Sequence, residues 1–322
     1  MTSDAAPAGT LLALDFGGTK LTAAVADLST LEWRQQASCP TPASGAQSRE
    51  AITALAREML TPSLPPIAGI GVSFGGPVDA ARGHVVHSMH IPGWNDYPLA
   101  AGLSKAFGAP ASIANDARAG ALGEWRFGTG GARGSLFYLT VSTGVGGGLV
   151  IDGEPVEGSS GLAGEVGHLT IDPSGPMCSC GRRGCVEALA AGPAIGREAS
   201  RRIAADKRVS PALAALLAAQ ATLTGEDVGA AAAAGDQVAI EVMTTAGSAA
   251  GHAIAAVIAV ANPDVVAVGG GVTKSDGVFW TSLKAAAIGA ALPTSTSVVR
   301  AAFVDTAPLY GALELARRAV CN

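Results

Sequence analysis

Apolar and polar positions along the chain form two similar groups, and each group opens on a strand, a glycine-rich turn and a return strand. The first group predicts strands at residues 11–15 and 21–27, on either side of a turn at 16–20. Short apolar runs bounded by glycine are typical of buried strands. The chain is therefore predicted to begin with a β-hairpin.

The same pattern starts again near the middle of the chain, with a strand at 135–141, a turn at 142–147 and a return strand at 148–152. Further elements follow the first hairpin: a helix at 48–60, strands at 67–73 and 111–114, and a helix at 117–125. Others follow the second hairpin: a helix at 237–261, a strand at 264–268 and a helix at 307–319. The repetition predicts two related α/β domains that face one cleft. A single large α/β protein with two unrelated hairpins is the alternative.

One segment carries no predicted chemistry. Residues 197–234 are rich in Ala and Arg and have a helical pattern. We expect a helical insert on the surface.

Composition narrows the class of protein. The 322 residues are 48% hydrophobic and include 43 glycines, which favours a folded chain with many tight turns. The net charge is −5 and there is no long basic run, so a nucleic-acid partner is not expected. The N-terminus lacks the pattern of a signal peptide, and the apolar stretch at 253–268 is interrupted by Asn262-Pro263-Asp264. We therefore expect a soluble, cytoplasmic protein without a membrane partner.

The first glycine-rich turn has the residues needed to hold a phosphate. Gly17 and Gly18 lie at the tip of the hairpin, where the absence of Cβ atoms lets backbone N–H groups approach an anion. Thr19 adds a hydroxyl donor and Lys20 a positive charge. Asp15 precedes the turn and could hold Mg²⁺ through water, because hard cations prefer oxygen ligands.

Two later turns extend this pattern. Thr143 and Gly144 repeat the design in the second hairpin, and Gly269-Gly270-Gly271 after a buried strand suits the adenosine end of ATP. Neither a P-loop motif nor a dinucleotide fingerprint is present. Any one of these turns could be an ordinary turn, so the prediction of ATP binding depends on finding all three in this order.

Asn115 and Asp116 are predicted at the junction between a strand and a helix. Both residue types are common helix N-caps, which is the simpler interpretation. The alternative is catalytic: Asp116 would accept the proton of an attacking hydroxyl, as an aspartate does in phosphoryl transfer. Glu165, His168 and Glu187 could bind vicinal sugar hydroxyls, which both donate and accept hydrogen bonds.

Three of the five cysteines lie within eight residues and indicate a metal site. His168, Cys178, Cys180 and Cys185 form the pattern H-x9-C-x-C-x4-C. A Cys₃His set matches a closed tetrahedral zinc site, so we expect structural Zn²⁺. Glu187 follows the last ligand by two residues, so the metal would fix one wall of a sugar pocket. Free buried cysteines are the alternative.

Taken together these motifs resemble the ROK family, named for repressors, open reading frames and kinases. The motifs that match span nearly the whole chain: residues 15–20, 74–78, 113–124, 143–148, 164–168, 178–187 and 268–272. The resemblance implies a two-domain actin-like ATPase fold shared with hexokinases, a cleft that closes over ATP and sugar, and assembly as a homodimer or homotetramer. We expect a smaller N-terminal domain at 1–116, completed by a C-terminal helix at 305–322, and a larger domain with the zinc loop at 117–304.

The resemblance also implies roles for individual residues. Asp116 would be the catalytic base, and the sugar would be held by Gly75, Asn115, Asp116, Glu165, His168 and Glu187. His168 would then serve both the zinc and the sugar. One position departs from the family pattern: His90 stands where many family kinases have Asn, in the run His90-Ile91-Pro92-Gly93-Trp94. His90 is therefore either a sugar contact or a surface histidine.

The predicted activity is ATP-dependent phosphorylation of a monosaccharide hydroxyl, with glucose as the first candidate substrate. N-acetylmannosamine or N-acetylglucosamine is the alternative, since an N-acetyl group needs extra pocket volume near the sugar's 2-position. Sugar-responsive repressors in this family have a DNA-binding module before the kinase-like part. Only about nine residues precede the first predicted strand here, so a repressor is not expected.

Overall fold

A computed structural model describes residues 9–88, 91–132, 134–205, 211–275 and 277–321. The strands of this α/β protein are β1 (Thr10–Phe16), β2 (Lys20–Asp27), β3 (Trp33–Pro40), β4 (Ile67–Phe74), β5 (Val78–Asp79), β6 (His84–Val85), β7 (Ala111–Asn115), β8 (Ser135–Val141), β9 (Val145–Ile151), β10 (Glu154–Pro155), β11 (Val265–Gly269) and β12 (Ser297–Arg300). The helices are α1 (Gly45–Met59), α2 (Leu99–Phe107), α3 (Asp116–Phe127), α4 (Val186–Ala190), α5 (Gly192–Ala205), α6 (Pro211–Gln220), α7 (Gly225–Ala233), α8 (Gln237–Ala261), α9 (Val278–Ala290) and α10 (Ala307–Ala319). Short 3₁₀ turns cover Val166–His168 and Gly271–Lys274.

The first sheet has the strand order β3-β2-β1-β4-β7. Strands β1 and β2 form the predicted antiparallel hairpin, with Phe16 opposite Leu21. Strands β4 and β7 continue the sheet in parallel with β1. The carboxyl ends of three neighbouring parallel strands therefore lie at one edge of this sheet.

The second sheet repeats the arrangement, in the order β10-β9-β8-β11-β12. Strand β8 pairs in parallel with β11, and β11 in turn with β12. Each sheet thus consists of a hairpin extended by two parallel strands on one side and one antiparallel strand on the other. This identical order confirms the duplication that the restarting pattern predicts.

The chain folds into two compact units, each built from more than one segment of the sequence. Unit 1 contains Met1–Arg133, Gly148–Ala163 and Thr306–Asn322, whereas unit 2 contains Gly134–Gly147 and Gly164–Asp305. Unit 1 holds the first sheet with α1, α2, α3 and α10. Unit 2 holds the helices α4 to α9 with β8, β11 and β12.

Helix α10 completes the core of unit 1, because small residues let its backbone come very close to β4 and α3. A Cβ atom added at Gly71 in β4 would lie 1.8 Å from the carbonyl oxygen of Ala312, and one at Gly311 would lie 1.8 Å from that of Ala119. Leu309 and Leu313 of α10 are buried against β1 and β2. The C-terminal helix is thus a part of the first unit.

The amphipathic pattern places α1 correctly but starts it three residues late. The pattern predicts residues 48–60, whereas the helix begins at Gly45, because the Ser44 hydroxyl accepts a hydrogen bond from the backbone N–H of Gln47 and caps it. The second glycine-rich turn is also shorter than predicted: β9 begins at Val145, so the turn covers residues 142–144 only. Strands β3 and β12 and helices α2 and α9 have no predicted counterpart.

Within the described residues, one helix is long and apolar enough to cross a membrane by length and composition alone. This helix is α8, and 67% of its most apolar 18-residue window is buried in the structure. Gly247 and Gly251 of α8 lie against the backbone of α9. Such burial is typical of the core helix of a folded domain.

Candidate active site

Three of the predicted site positions lie at the carboxyl ends of neighbouring parallel strands in unit 1. Asp15 is near the end of β1, Gly75 follows β4, and Asn115 ends β7. Open α/β sheets bind ligands at this edge. A Cβ atom added at Gly75 would lie 3.7 Å from Oδ2 of Asp116 and 3.2 Å from the carbonyl oxygen of Phe16, so Gly75 lies directly beside the Asp116 carboxylate.

The first glycine-rich turn is closed by backbone hydrogen bonds and exposes its tip. The Gly17 N–H donates to the Lys20 carbonyl at 3.1 Å, and the Thr41 hydroxyl donates to the Gly17 carbonyl at 2.7 Å. Gly18, Thr19 and Lys20 are all exposed. A Cβ atom added at Gly18 would have no neighbour within 4 Å, so the space above the turn is open to a ligand.

Asp15 is a largely buried carboxylate with an unusual titration. Burial raises the pKa of Asp15 from 3.8 to about 6, the Ser73 hydroxyl that donates to Oδ1 at 2.7 Å opposes this shift, and the nearby Asp116 carboxylate adds to it. Two carboxylates close together in such a site favour a bound cation. The residues present therefore fit Mg²⁺ at this position.

The raised pKa of Asp15 predicts that the metal-free protein loses stability as pH rises. Between pH 3.8 and about 6 the folded state holds a proton that the unfolded state has released, so the stabilisation is complete below pH 4 and is lost by pH 6. The shift from 3.8 to about 6 corresponds to about 3 kcal/mol. Asp15→Asn keeps an acceptor for Ser73 and removes the charge, so it should raise the free energy of unfolding at pH 8 by up to about this amount and change little at pH 4.

Urea denaturation in the presence of a chelator, at several pH values, measures this effect. Asp27→Asn is the matched control in the neighbouring strand, and its expected sign is opposite. Hydrogen bonds from Ser29 and Arg34 hold the pKa of Asp27 well below its usual range, so removing that carboxylate should destabilise the protein at neutral pH. An Asp15→Asn variant that is less stable than the wild type at pH 8 would contradict the interpretation.

Asn115 is the N-cap of α3, as the simpler interpretation of this pair has it. Its Oδ1 accepts hydrogen bonds from the backbone N–H groups of Ala117 and Arg118, at 3.0 and 3.3 Å. Its amide also donates to the carbonyl of Gly76 at 3.2 Å and to Oδ1 of Asp116 at 2.9 Å. The Asn115 side chain thus both caps α3 and orients Asp116.

Asp116 is the first residue of α3, and its carboxylate is held in a defined orientation. Oδ1 accepts from the backbone N–H of Ala117 at 2.8 Å as well as from Asn115. Oδ2 is the carboxylate oxygen nearer to Gly75. A carboxylate fixed through one oxygen can present the other to a substrate hydroxyl.

The polar residues predicted for sugar binding in unit 2 lie around the cysteine cluster. Nε2 of His168 lies 3.9 Å from Oε2 of Glu165. Oε2 of Glu187 accepts the backbone N–H of Val145 at 3.1 Å, and its Oε1 lies 3.4 Å from the Ser179 hydroxyl. Glu165 and His168 are therefore adjacent, and Glu187 joins the second glycine-rich turn to the cysteine loop.

The predicted metal ligands come together in three dimensions. The ligand atoms of His168, Cys178, Cys180 and Cys185 all lie within 4.8 Å of one another. Sγ of Cys180 and Sγ of Cys185 are 3.6 Å apart, and Sγ of Cys178 lies 3.6 Å from Nδ1 of His168. Thiolates bound at about 2.3 Å to a tetrahedral zinc ion are about 3.8 Å apart, so these spacings fit such an ion.

The thiols of this cluster differ in acidity. The backbone N–H of Arg182 and its side chain lower the pKa of Cys180 to about 6, whereas burial raises the pKa of Cys185 to about 12. Cys180 is exposed and Cys185 is buried. A cation at the centre of the cluster would favour the thiolate form of both.

The other two glycine-rich turns meet at one end of the second sheet. The Ser142 N–H donates to the Gly144 carbonyl at 2.8 Å, and a Cβ atom at Gly144 would lie 2.8 Å from Oε2 of Glu187. Gly270 has a φ of +91°, and a Cβ atom there would lie 2.4 Å from the Val141 carbonyl oxygen. Packing between the ends of β8 and β11 thus accounts for Gly270.

A cavity of about 1080 Å³ lies in unit 2 beside these turns. It is lined by Ser142, Thr143, Gly192, Pro193, Gly196, Arg197, Ser200, Ala221, Thr222, Leu223, Thr224, Gly225, Glu226, Gly229, Ala230, Ala233, Gly271, Val272, Lys274 and Ser275. Of the predicted phosphate-turn residues, Thr143 and Gly271 contribute to it. The volume is slightly above the range of about 300–1,000 Å³ that is usual for small-molecule and cofactor sites.

Most of the cavity wall comes from the segment in which the sequence pattern predicts no chemistry. The described part of this segment does form helices, in α5, α6 and α7, but α5 and α7 face the cavity. The sequence has glycines at Gly192, Gly196 and Gly225, but only the fold shows how closely they pack. A Cβ atom at Gly196 would lie 1.8 Å from the Leu223 carbonyl oxygen, and one at Gly225 would lie 2.9 Å from Cα of Gly192.

His90 lies outside the described residues. Trp94, four residues further along the chain, packs into the core of unit 1. Trp94 is 1% exposed, and its ring lies 4.9 Å from that of Phe74 and 5.5 Å from that of Phe16. These two phenylalanines end β4 and β1. The segment after His90 is therefore fixed beside the first glycine-rich turn.

The two repeated sheets define the class of protein, and comparison with known proteins gives the family. The structural neighbours have the actin-like ATPase fold. The model of the ROK family matches residues 11–319 of the chain. The chain belongs to the ROK family, as its motifs indicate.

Curated relatives of the chain are sugar kinases. It is 39% identical over 272 residues to an N-acetylmannosamine kinase of Citrobacter koseri, covering 83% of this chain and 84% of that protein. It is 32% identical over 254 residues to a glucokinase of Thermotoga maritima, covering 78% and 80%.

Solved structures of the family superpose on most of the chain. A ROK family glucokinase from Streptomyces griseus, in complex with glucose and AMPPNP, is 30% identical, with a TM-score of 0.81 over 96% of this chain and 100% of that one. A ROK family transcriptional regulator, described as a homologue of the E. coli MLC protein, is 28% identical with a TM-score of 0.84, over 97% of this chain and 78% of that one. The family therefore includes both sugar kinases and regulators.

Proposed function

We propose that this ROK sugar kinase transfers the γ-phosphoryl group of ATP to a hexose hydroxyl, with Asp116 as general base and glucose as the first candidate substrate. The observation that carries the proposal is the corner at the carboxyl ends of β1, β4 and β7. There Asp116 is oriented by Asn115 and its Oδ2 lies beside Gly75, with Asp15 close by.

In the proposed mechanism the chain positions its reactants and stabilises charge, which is most of what phosphoryl transfer requires. Asp116 accepts the proton of the attacking sugar hydroxyl. The exposed N–H groups of Gly18 and Thr19, with the Lys20 ammonium, bind phosphate oxygens. Asp15 would hold Mg²⁺ through water, and the ion would supply positive charge that offsets the charge of the phosphates.

We assign the adenosine end of the nucleotide, and some of the contacts to the sugar hydroxyls, to residues of unit 2. The cavity beside Thr143 and Gly271 has the volume for an adenosine moiety, and a Cβ atom added at Gly271 would have only the Ser142 hydroxyl within 4 Å, at 3.8 Å. Glu165, His168 and Glu187 are assigned to the sugar hydroxyls. The sequence also suggested Gly269 and Gly270 for ATP. Both pack closely against β8, Gly269 beside Tyr138 and Gly270 beside Val141, so we assign them a structural role.

We assign structural Zn²⁺ to His168, Cys178, Cys180 and Cys185. With Nδ1 of His168 turned to the cysteines and Nε2 turned to Glu165, the metal would fix the imidazole for a second contact on its other side. The His168 ring would thereby serve the metal and the sugar through different nitrogens.

N-acetylmannosamine is the second candidate substrate, and the 39% identity to a kinase of that sugar favours it. The proposal of catalysis, rather than regulation alone, is supported by the intact and oriented Asp116. Specific binding to an operator DNA, without turnover of any sugar, would instead support a regulator.

A substrate panel tests the assignment. Purified protein with Mg-ATP should phosphorylate glucose faster than fructose, mannose, allose, N-acetylmannosamine or N-acetylglucosamine, as followed by ADP release in a coupled assay. A reaction without sugar provides the background. Turnover of an amino sugar without turnover of glucose would replace glucose as the substrate and leave the kinase assignment in place.

A further inference from the structure

The segment Ile91–Trp94 forms part of a small cavity in unit 1 together with the first glycine-rich turn. Ile91 and Trp94 line this cavity with Gly17, Gly18 and Gly75. The backbone N–H of Ile91 donates to the hydroxyl of Ser88 at 3.2 Å. The position of this segment therefore affects the corner at Gly75, a predicted sugar contact.

The N-terminus of α1 is in contact with this segment. The Gly45 N–H donates to the Pro92 carbonyl at 2.8 Å. A Cβ atom at Gly45 would lie 2.8 Å from the Gly93 carbonyl oxygen and 3.0 Å from the Trp94 ring, so the helix and the segment are in direct contact. Gly93 itself has a φ of +92°, a conformation that glycine adopts readily and that other residues rarely adopt.

Arg49, one turn further along α1, holds the same segment by a different set of contacts. Its guanidinium donates from Nη1 to the Gly93 carbonyl at 3.1 Å. The guanidinium carbon lies 5.0 Å from the centre of the Trp94 ring and 3.9 Å from that of Tyr97. Both distances are within the range of cation–π attraction.

The second aromatic partner of Arg49 is itself anchored. Tyr97 exchanges two backbone hydrogen bonds with Val85 of β6, at 2.9 and 3.0 Å. Arg49 thus connects a helix, a fixed tyrosine and the backbone of the segment at one point. No other described residue of α1 has a side-chain hydrogen bond to Gly93.

We propose that Arg49 is a positioning residue for sugar binding, which keeps Ile91–Trp94 in the conformation that lines the cavity beside Gly75, a predicted sugar contact. This inference rests on the proposed function. Loss of the guanidinium would release the Gly93 carbonyl and one face of Trp94 without touching Asp116 or the nucleotide cavity. Binding of sugar in the ground state and in the transition state would weaken together, which raises KM and leaves kcat nearly unchanged.

The test compares Arg49→Ala, Arg49→Lys and Arg57→Ala in the full chain. Arg57 lies two turns further along α1 and is exposed, so it controls for loss of a cation from this helix. Arg49→Ala should raise KM for the sugar about tenfold and change kcat and KM for ATP less than twofold. Arg49→Lys keeps the charge without the planar fork and should give an intermediate KM, whereas Arg57→Ala should match the wild type.

Each outcome decides the matter. The positioning role would be overturned by an unchanged sugar KM in Arg49→Ala or by an equal rise of the sugar KM in Arg57→Ala. It would also be overturned if Arg49→Ala lowered kcat and raised the KM for ATP as much as it raised the sugar KM. If Arg49→Ala does not fold, the same criteria apply to Arg49→Lys. A wild-type protein that phosphorylates no sugar would end the proposed function and this inference together, whereas an active wild type with normal Arg49 variants would end the inference alone.

Discussion

Replacing Asp116 with alanine is expected to lower kcat for sugar phosphorylation by about 10²–10⁴-fold, the usual contribution of a general base. Sugar affinity should remain partly intact, because the other proposed sugar contacts stay in place. Steady-state kinetics for both substrates, with sugar binding followed separately by calorimetry, measures the two effects.

Asp116 also accepts the backbone N–H of Ala117 at the start of α3, so a variant is needed that separates capping from catalysis. Asp116→Asn keeps an acceptor for that N–H and cannot take a proton, so its kcat should fall as far as that of Asp116→Ala. Asp96→Asn, which changes an exposed carboxylate in the same unit, should retain wild-type kinetics. Near-normal turnover in Asp116→Asn would remove this residue from the proton transfer.

Removal of one cysteine from the metal cluster is expected to produce the largest change in stability. Cys180→Ala should lose the zinc that the wild type is expected to carry at about one ion per chain, and Tm should fall by about 10 °C, because metal binding contributes directly to folding. Cys180 is exposed, so the change leaves no cavity in the core that could explain such a loss. Elemental analysis and thermal denaturation of the same preparations measure both quantities.

Cys321→Ala is the matched control, since Cys321 is also exposed and lies outside the cluster. It should keep its zinc and its Tm. A chelator should lower the Tm of the wild type and of this control but should have little effect on Cys180→Ala. Wild-type protein without zinc, or Cys180→Ala with unchanged zinc content, would refute the Cys₃His assignment.

Local pattern predicted the scaffold well, because each element has a signal of its own in the sequence. The hairpin at β1 and β2, the strand β8 and the helices α8 and α10 lie where apolar periodicity and glycine place them. The cysteine cluster was predictable for a similar reason. Its ligands are close along the chain, and a close group of Cys and His residues usually indicates a metal site.

What the sequence did not reveal depends on packing between distant segments. Arg197 and Thr224 have no motif, and only the packing of α5 against α7 brings them to one cavity. Arg49 is an ordinary polar position of an amphipathic helix until the fold sets it between Trp94 and Tyr97. The raised pKa of Asp15 likewise results from burial and from Asp116, which is about a hundred residues away in the sequence.

The most direct test of the central claim is ³¹P NMR of the purified protein with Mg-ATP and glucose. We expect a sugar-phosphate resonance to grow in step with ADP, and neither to appear with Asp116→Asn on the same timescale. Release of inorganic phosphate instead of a sugar phosphate, or no reaction with any monosaccharide of the panel, would contradict the claim.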